Sequence, residues 1–158
     1  MLTYKLRSFI DINKINWDWL SCNPNAIDLL KANPDKINWI YLSKNPAAID
    51  LLKVNLDKVH WYELSSNPEA MELLITNLDK ICWNNLSSNP NAINFIEQYL
   101  NDPIVCKKLD WDILSTNPNA LPILLKYPYM INWPRFSKNP AAMSILENRM
   151  CYIDWVYL

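Results

Sequence analysis

Glycine is absent from this chain of 158 residues, where average usage would supply about 11. Phosphate cradles, dinucleotide fingerprints, nucleophile elbows and kinase loops need glycine for tight turns or close backbone approach, so all are excluded. A single histidine, His60, limits any histidine-based triad or metal site to that one residue. Four cysteines, Cys22, Cys82, Cys106 and Cys151, show no CxxC spacing; they read as reduced thiols, with neither a zinc cluster nor a disulfide ladder indicated. Basic residues are not in excess, with 15 against 16 acidic and a net charge of −1, which argues against a nucleic-acid binder. No apolar run reaches the roughly 18 residues of a membrane span. The start carries Lys5, Arg7, Asp11 and Lys14 among its apolar residues, which is not the pattern of a secretory signal. The expectation is a soluble intracellular protein.

Tryptophan and proline run the other way, with 8 and 11 residues. Tryptophan recurs at Trp17, Trp39, Trp61, Trp83, Trp111, Trp133 and Trp155, in steps of 22, 22, 22, 28, 22 and 22. One unit is therefore written seven times, the last copy cut short. The single domain, 1–158, divides into an N-terminal cap (1–14), six repeats (15–152) with an insertion near 99–108, and a partial C-terminal repeat (153–158).

Each of the six complete units contains an Asn-Pro pair, from Asn23-Pro24 to Asn139-Pro140. Asparagine is a favoured N-cap, and proline suits the first helical position, where its missing donor is not needed. After the pair, Ala26, Ile27, Leu29 and Leu30 fall on one arc of a helical projection, and Asn25, Asp28 and Lys31 on the other. The spacing predicts a helix of about 9 to 10 residues ending near Asn33, Asn55 or Asn77. At those ends Asn55 and Asn77 suit a left-handed cap, whereas Asn33, which precedes Pro34, is pushed towards an extended conformation. Ahead of each Trp stands a second cap candidate: Asn16, Asn38, His60, Cys82, Asp110, Asn132 or Asp154. It opens a short helix with Trp and a Leu three places later on one face, and a serine such as Ser21 ends it at the bend.

The fold class expected is all-α: an α-solenoid of about six to seven two-helix repeats. A leucine-rich horseshoe, which needs period-two alternation in a strand, fits these residues poorly. Helices this short are unstable alone, so neighbouring units must cover one another, and the Trp row is expected to form the spine. Pro122, five places past the Asn117 cap, is expected to kink its helix; Pro134 lies harmlessly in a first turn; Asp102-Pro103 is expected to restart a single turn.

The pattern NW-x-x-LS-x-NP-x-A-I-x-LL, joined by NPDKI or NLDKV, resembles the 22-residue tandem repeats of giant, nucleocytoplasmic large DNA viruses. The resemblance covers Ile15 to Leu158, with departures at His60, Cys82, Phe136 and the insertion. It implies a viral origin and a role in the cytoplasm of an infected cell or in the virion. The architecture it implies is similar to ankyrin and tetratricopeptide solenoids.

No catalytic, cofactor or metal site is expected, and the chain is not expected to be an enzyme. His60 reads as structural, and pairs such as Asp35-Lys36 read as solvated helix ends. Two positions between Trp and Leu vary from unit to unit and carry aromatics, which are typical interface anchors. The candidate partner-binding residues are Trp19, Tyr41, Tyr62, Glu63, Asn85, Ile113, Arg135 and Tyr157. The bland alternative is that they pack between adjacent short helices. The expected function is a non-catalytic scaffold for a protein partner. The alternatives are a self-assembling structural component that associates through its C-terminal unit and, less favoured, a nucleic-acid reader, since rings are present without a basic track.

Overall fold

A computed structural model describes residues 11–146 of the chain. The described residues of the six repeats, 15–146, form an all-α solenoid, and no strand occurs among the described residues. The helices pair as α1 (Trp17–Ser21) with α2 (Ile27–Ala32), α3 (Trp39–Lys44) with α4 (Ile49–Lys53), and α5 (Trp61–Ser65) with α6 (Met71–Ile75). Then follow α7 (Trp83–Leu86), α8 (Ile93–Tyr99), the inserted α9 (Pro103–Lys108), α10 (Trp111–Thr116), α11 (Leu121–Lys126), α12 (Trp133–Phe136) and α13 (Met143–Leu146). The end of the sixth repeat (147–152), the partial repeat at 153–158 and most of the cap at 1–14 lie outside the described residues.

Each Asn-Pro pair opens a helix as expected, but the opening is one turn of 3-10 helix in every repeat except the fifth, where Pro118 and Asn119 form a plain turn. In Pro24–Ala26, Pro46–Ala48 and Pro68–Ala70 the asparagine Oδ1 accepts the N–H two residues on, at 3.0–3.1 Å. The alanine ending that turn bends the chain into the α segment, so the combined helix runs eight or nine residues in the first three repeats and ten in the fourth. Successive Asn-Pro turns pack on one another, and their alanines are buried. Short helices likewise pack on the next short helix, α1 on α3, α3 on α5, α5 on α7 and α10 on α12.

Three expectations need correction. First, Pro122 does not kink α11. The α segment of each repeat starts three residues after its Asn-Pro proline, so Pro122 is the second residue of that segment, where no N–H is required. Second, the helix ends are alike and none is left-handed: Asn33, Asn55 and Asn77 all sit near φ −136°, ψ 56°, with Asn77 at those angles. Their Nδ2 donates back to Leu29, Leu51 and Leu73 at 2.8–2.9 Å, satisfying a terminal carbonyl without a positive φ. The chain then enters a further 3-10 turn, Pro34–Lys36, Leu56–Lys58 or Leu78–Lys80. Third, the indoles are not the spine. Trp17, Trp39, Trp61, Trp83 and Trp133 are half-buried, while Leu42, Leu64, Leu86, Leu114 and Phe136 on the short helices, with Leu30, Leu52, Leu74, Ile96 and Leu124 on the long ones, are sealed. A fully buried leucine contributes about 1.5–3 kcal/mol gross, and here the residue recurs in both layers. The tryptophans cover the edge of that column: Trp83 stacks on Phe95 with ring centroids 5.8 Å apart, and the Lys58 ammonium stands 4.9 Å over Trp39.

Asp102 does cap a restarted helix, accepting the Ile104 N–H at 2.8 Å, but α9 is longer than a single turn. It packs against α7 and covers Trp111, whose Nε1 donates to the Cys106 carbonyl at 3.3 Å. Trp111 is accordingly the one buried indole among the described residues.

Candidate functional site

The invariant polar residues bond between repeats. The side-chain amide of Asn45 is buried, and its Nδ2 donates to the carbonyls of Ser21 and Asn23, both at 3.0 Å. Asn67, Asn89, Asn117 and Asn139 repeat the arrangement on the Ser and Asn of the preceding unit, at 2.8–3.2 Å. One asparagine thus caps its own helix through Oδ1 and ties two repeats through Nδ2. The serines form a second rail. Ser65 Oγ donates to the Trp61 carbonyl at 2.8 Å and accepts the Cys82 N–H at 3.0 Å, and Ser21, Ser43, Ser87 and Ser115 bridge likewise. From Asn45 to Asn139 each amide on these rails has its acceptors, and each serine hydroxyl from Ser21 to Ser137 donates within its own helix, so the rails hold the scaffold.

On that scaffold the two variable positions of the short helix differ. The second leans back on the preceding repeat. The Tyr41 ring lies 6.2 Å from that of Trp19, Glu63 meets Lys44 at 3.1 Å, and Asn85 Nδ2 donates to the Tyr62 carbonyl at 2.7 Å. Ile113 is half-buried in the same row, and Arg135 pairs with Asp112 at 3.7 Å. Tyr41, Glu63 and Asn85 thus follow the bland alternative, packing between adjacent short helices. Trp19 is the exception at 68% exposed, because its face of α1 has no repeat to lean on among the described residues. Tyr157 lies outside the described residues.

The first variable position faces outward in all six repeats: Asp18, Ile40, Tyr62, Asn84, Asp112 and Pro134 are exposed. Of the residues proposed from sequence only Tyr62 stands there, 50% exposed, with the His60 ring edge-on at 6.3 Å. Ile40, 46% exposed on the neighbouring helix, was not among the candidates, and its variation between units is the signal that could have found it. Trp19, Ile40 and Tyr62 thus expose large apolar area on three consecutive short helices.

A second apolar strip lies at the joins, where Val54, Leu56, Ile75 and Leu78 are exposed at the ends of the long helices. Helical projection assigns apolar residues to the core and so gave no warning of it. Beside the strip Lys53 Nζ donates to Glu72 at 2.7 Å, and that hydrogen bond raises the Lys53 pKa. Two open grooves of about 500 and 420 Å³ mark the Asn91–Asn119 and Asn132–Lys138 surfaces. In the first, Asn91 and Asn119 already donate to the Pro68 and Pro90 carbonyls. Among the described residues no cluster of His, Cys, Asp and Glu could hold a metal ion, and no helix is long and apolar enough to cross a membrane. Comparison with protein-family models, curated proteins and solved structures finds no match.

Proposed function

We propose that the solenoid is a non-catalytic scaffold that holds a protein partner on its short-helix face. The observation that carries this reading is the exposure of Ile40 and Tyr62 at one repeat position on adjacent helices, where packing between repeats does not require them. Large apolar side chains standing clear of a core are the usual anchors of protein interfaces. The hydrogen-bonded rails keep α3 and α5 at fixed spacing, so the two anchors are pre-organised and little ordering cost falls on binding. The resemblance to giant-virus repeats makes cells infected by a large DNA virus the source of choice for the partner.

The test compares the chain with an Ile40→Ser/Tyr62→Ser variant in affinity capture from such cells, followed by titration of the captured protein. Loss of both anchors should weaken binding by about 30-fold or more, the equivalent of roughly 2 kcal/mol. Unchanged affinity in a variant of normal helicity would remove the reading.

A further inference from the structure

The joins between repeats carry charges that packing between repeats does not use. Asp35-Lys36, Asp57-Lys58 and Asp79-Lys80 complete the 3-10 turns of three successive joins, and all six side chains are exposed. Among the described residues Lys36 and Lys80 pair only with the aspartate beside them in sequence, at 3.5 and 3.1 Å. Pairs this open to water add little to stability. Lys58 instead stands over the Trp39 ring, which leaves Asp57 without an ion pair among the described residues.

The same turns carry the apolar strip. Leu56 and Leu78 open the turns of Asp57 and Asp79, while Val54 and Ile75 stand at the ends of α4 and α6 just before them. Val54 is 77% exposed and the other three between 44 and 49%, and none of the four belongs to the core column. The whole patch lies within 35–80, inside the described array.

The balance of signs decides what can cover it. Each turn has Asp in its middle and Lys at its end, so the repeat lays one acidic row and one basic row along the solenoid. An anionic lipid surface, or a partner segment of one sign, loses on one row what it gains on the other. The cover must bring both signs in two rows at the spacing of these repeats, and a second copy of the chain does so. A two-fold axis running between the rows exchanges acid for base. It sets Asp57 against Lys58 of the second copy, and the joins on either side follow in register.

We propose that this join edge is a homodimer interface in which two copies lie parallel, each acidic row on the other's basic row, with Val54, Leu56, Ile75 and Leu78 covered. Such a contact uses the same patch on both copies and is complete at two subunits. It is independent of the partner surface, which uses Ile40 and Tyr62.

Sedimentation of the full chain from about 1 μM to about 1 mM tests it, the range in which moderate to weak contacts populate. The mass should rise to that of a dimer and stop there, and added salt should weaken the dimer. Asp35→Lys/Asp79→Lys makes the patch basic and Lys36→Asp/Lys80→Asp makes it acidic, both sparing Lys58 on Trp39. Each variant alone should dimerise at least tenfold more weakly, and an equimolar mixture of the two should regain the dimer. Val54→Ser/Leu78→Ser, with unchanged helicity, should also weaken it at least tenfold. A monomer at every concentration overturns the proposal, as does growth past a dimer. Association unmoved by the charge variants or by the apolar one also overturns it, and so does a mixture that fails to regain the dimer. Flotation of a monomeric chain with phosphatidylserine vesicles would identify a lipid occupant and equally overturn it.

Discussion

Asn117 donates its side-chain amide to the Ser87 carbonyl at 3.0 Å across 30 residues of chain, although Asn67 makes the same bond to Ser43 across 24. The six additional residues lie between the two units and leave these bonds intact, although α9 packs against α7, where the other short helices pack on one another. The second rail keeps its register as well: the Asp110 N–H reaches Ser87 Oγ at 3.0 Å, the distance found for Cys82 on Ser65. Repeats here are specified by what each offers its neighbour, and the length of the join is free to vary.

Replacing residues 99–108 with Asn-Leu-Asp-Lys, the join of the third repeat, should therefore leave a folded helical solenoid. The replacement strips the cover from Trp111, so its emission should shift to the red. Loss of the Tyr99 ring from Trp83 and Phe95 should cost on the order of 1–2 kcal/mol in urea unfolding. A chain that fails to fold would show that α9 is part of the core and not an addition to it.

Adjacent serines provide a controlled contrast. Ser65 is buried and bridges two repeats, whereas Ser66 Oγ only donates to the Glu63 carbonyl in its own helix. Ser65→Ala leaves the Cys82 N–H without its acceptor and should cost about 1–3 kcal/mol. Ser66→Ala should fall within about 0.5 kcal/mol of the unsubstituted chain. Equal effects from chemical denaturation would contradict the bridging role.

His60 occupies a cap position that Asn38 and Asn132 fill with a side chain accepting helical N–H groups, while its own ring makes no such bond. Its Nδ1 is buried without a hydrogen-bond partner. His60→Asn should restore the cap and stabilise the protein by about 1 kcal/mol, raising Tm by roughly 2–4 °C. A lowered Tm would mean that the imidazole's packing against Tyr62 outweighs the missing cap.

Sequence made the local half of this structure readable. The caps at Asn16, Asn38, Asp110 and Asn132, and the helix starts at each Asn-Pro, depend on residues two or three places apart, whose preferences are known from peptides. What it hid is the bonding at a distance of one unit. When Asn45 and Asn67 occupy identical positions, their recurrence can be explained by capping alone, and nothing indicates that the other half of each amide is bound to the previous repeat. The tryptophans misled in the opposite sense: size and regularity suggested a spine, yet leucine seals the column and the indoles stay half-open at its edge. The candidate surface was visible as variability, but only the packing separates Tyr62, which faces out, from Tyr41 and Glu63, which lean on their neighbours.

The most direct test of the amide rail compares Asn67→Asp with Asn23→Asp by urea denaturation below the concentration of any self-association. Both substitutions keep a capping oxygen, and they differ in whether two buried carbonyls await the lost amide. Asn67→Asp should lose about 3 kcal/mol or more, since it sets a carboxylate against the Ser43 and Asn45 carbonyls, while Asn23→Asp should stay within about 0.5 kcal/mol. Similar small losses at both sites would contradict the account, because the repeats would then be held by apolar packing alone.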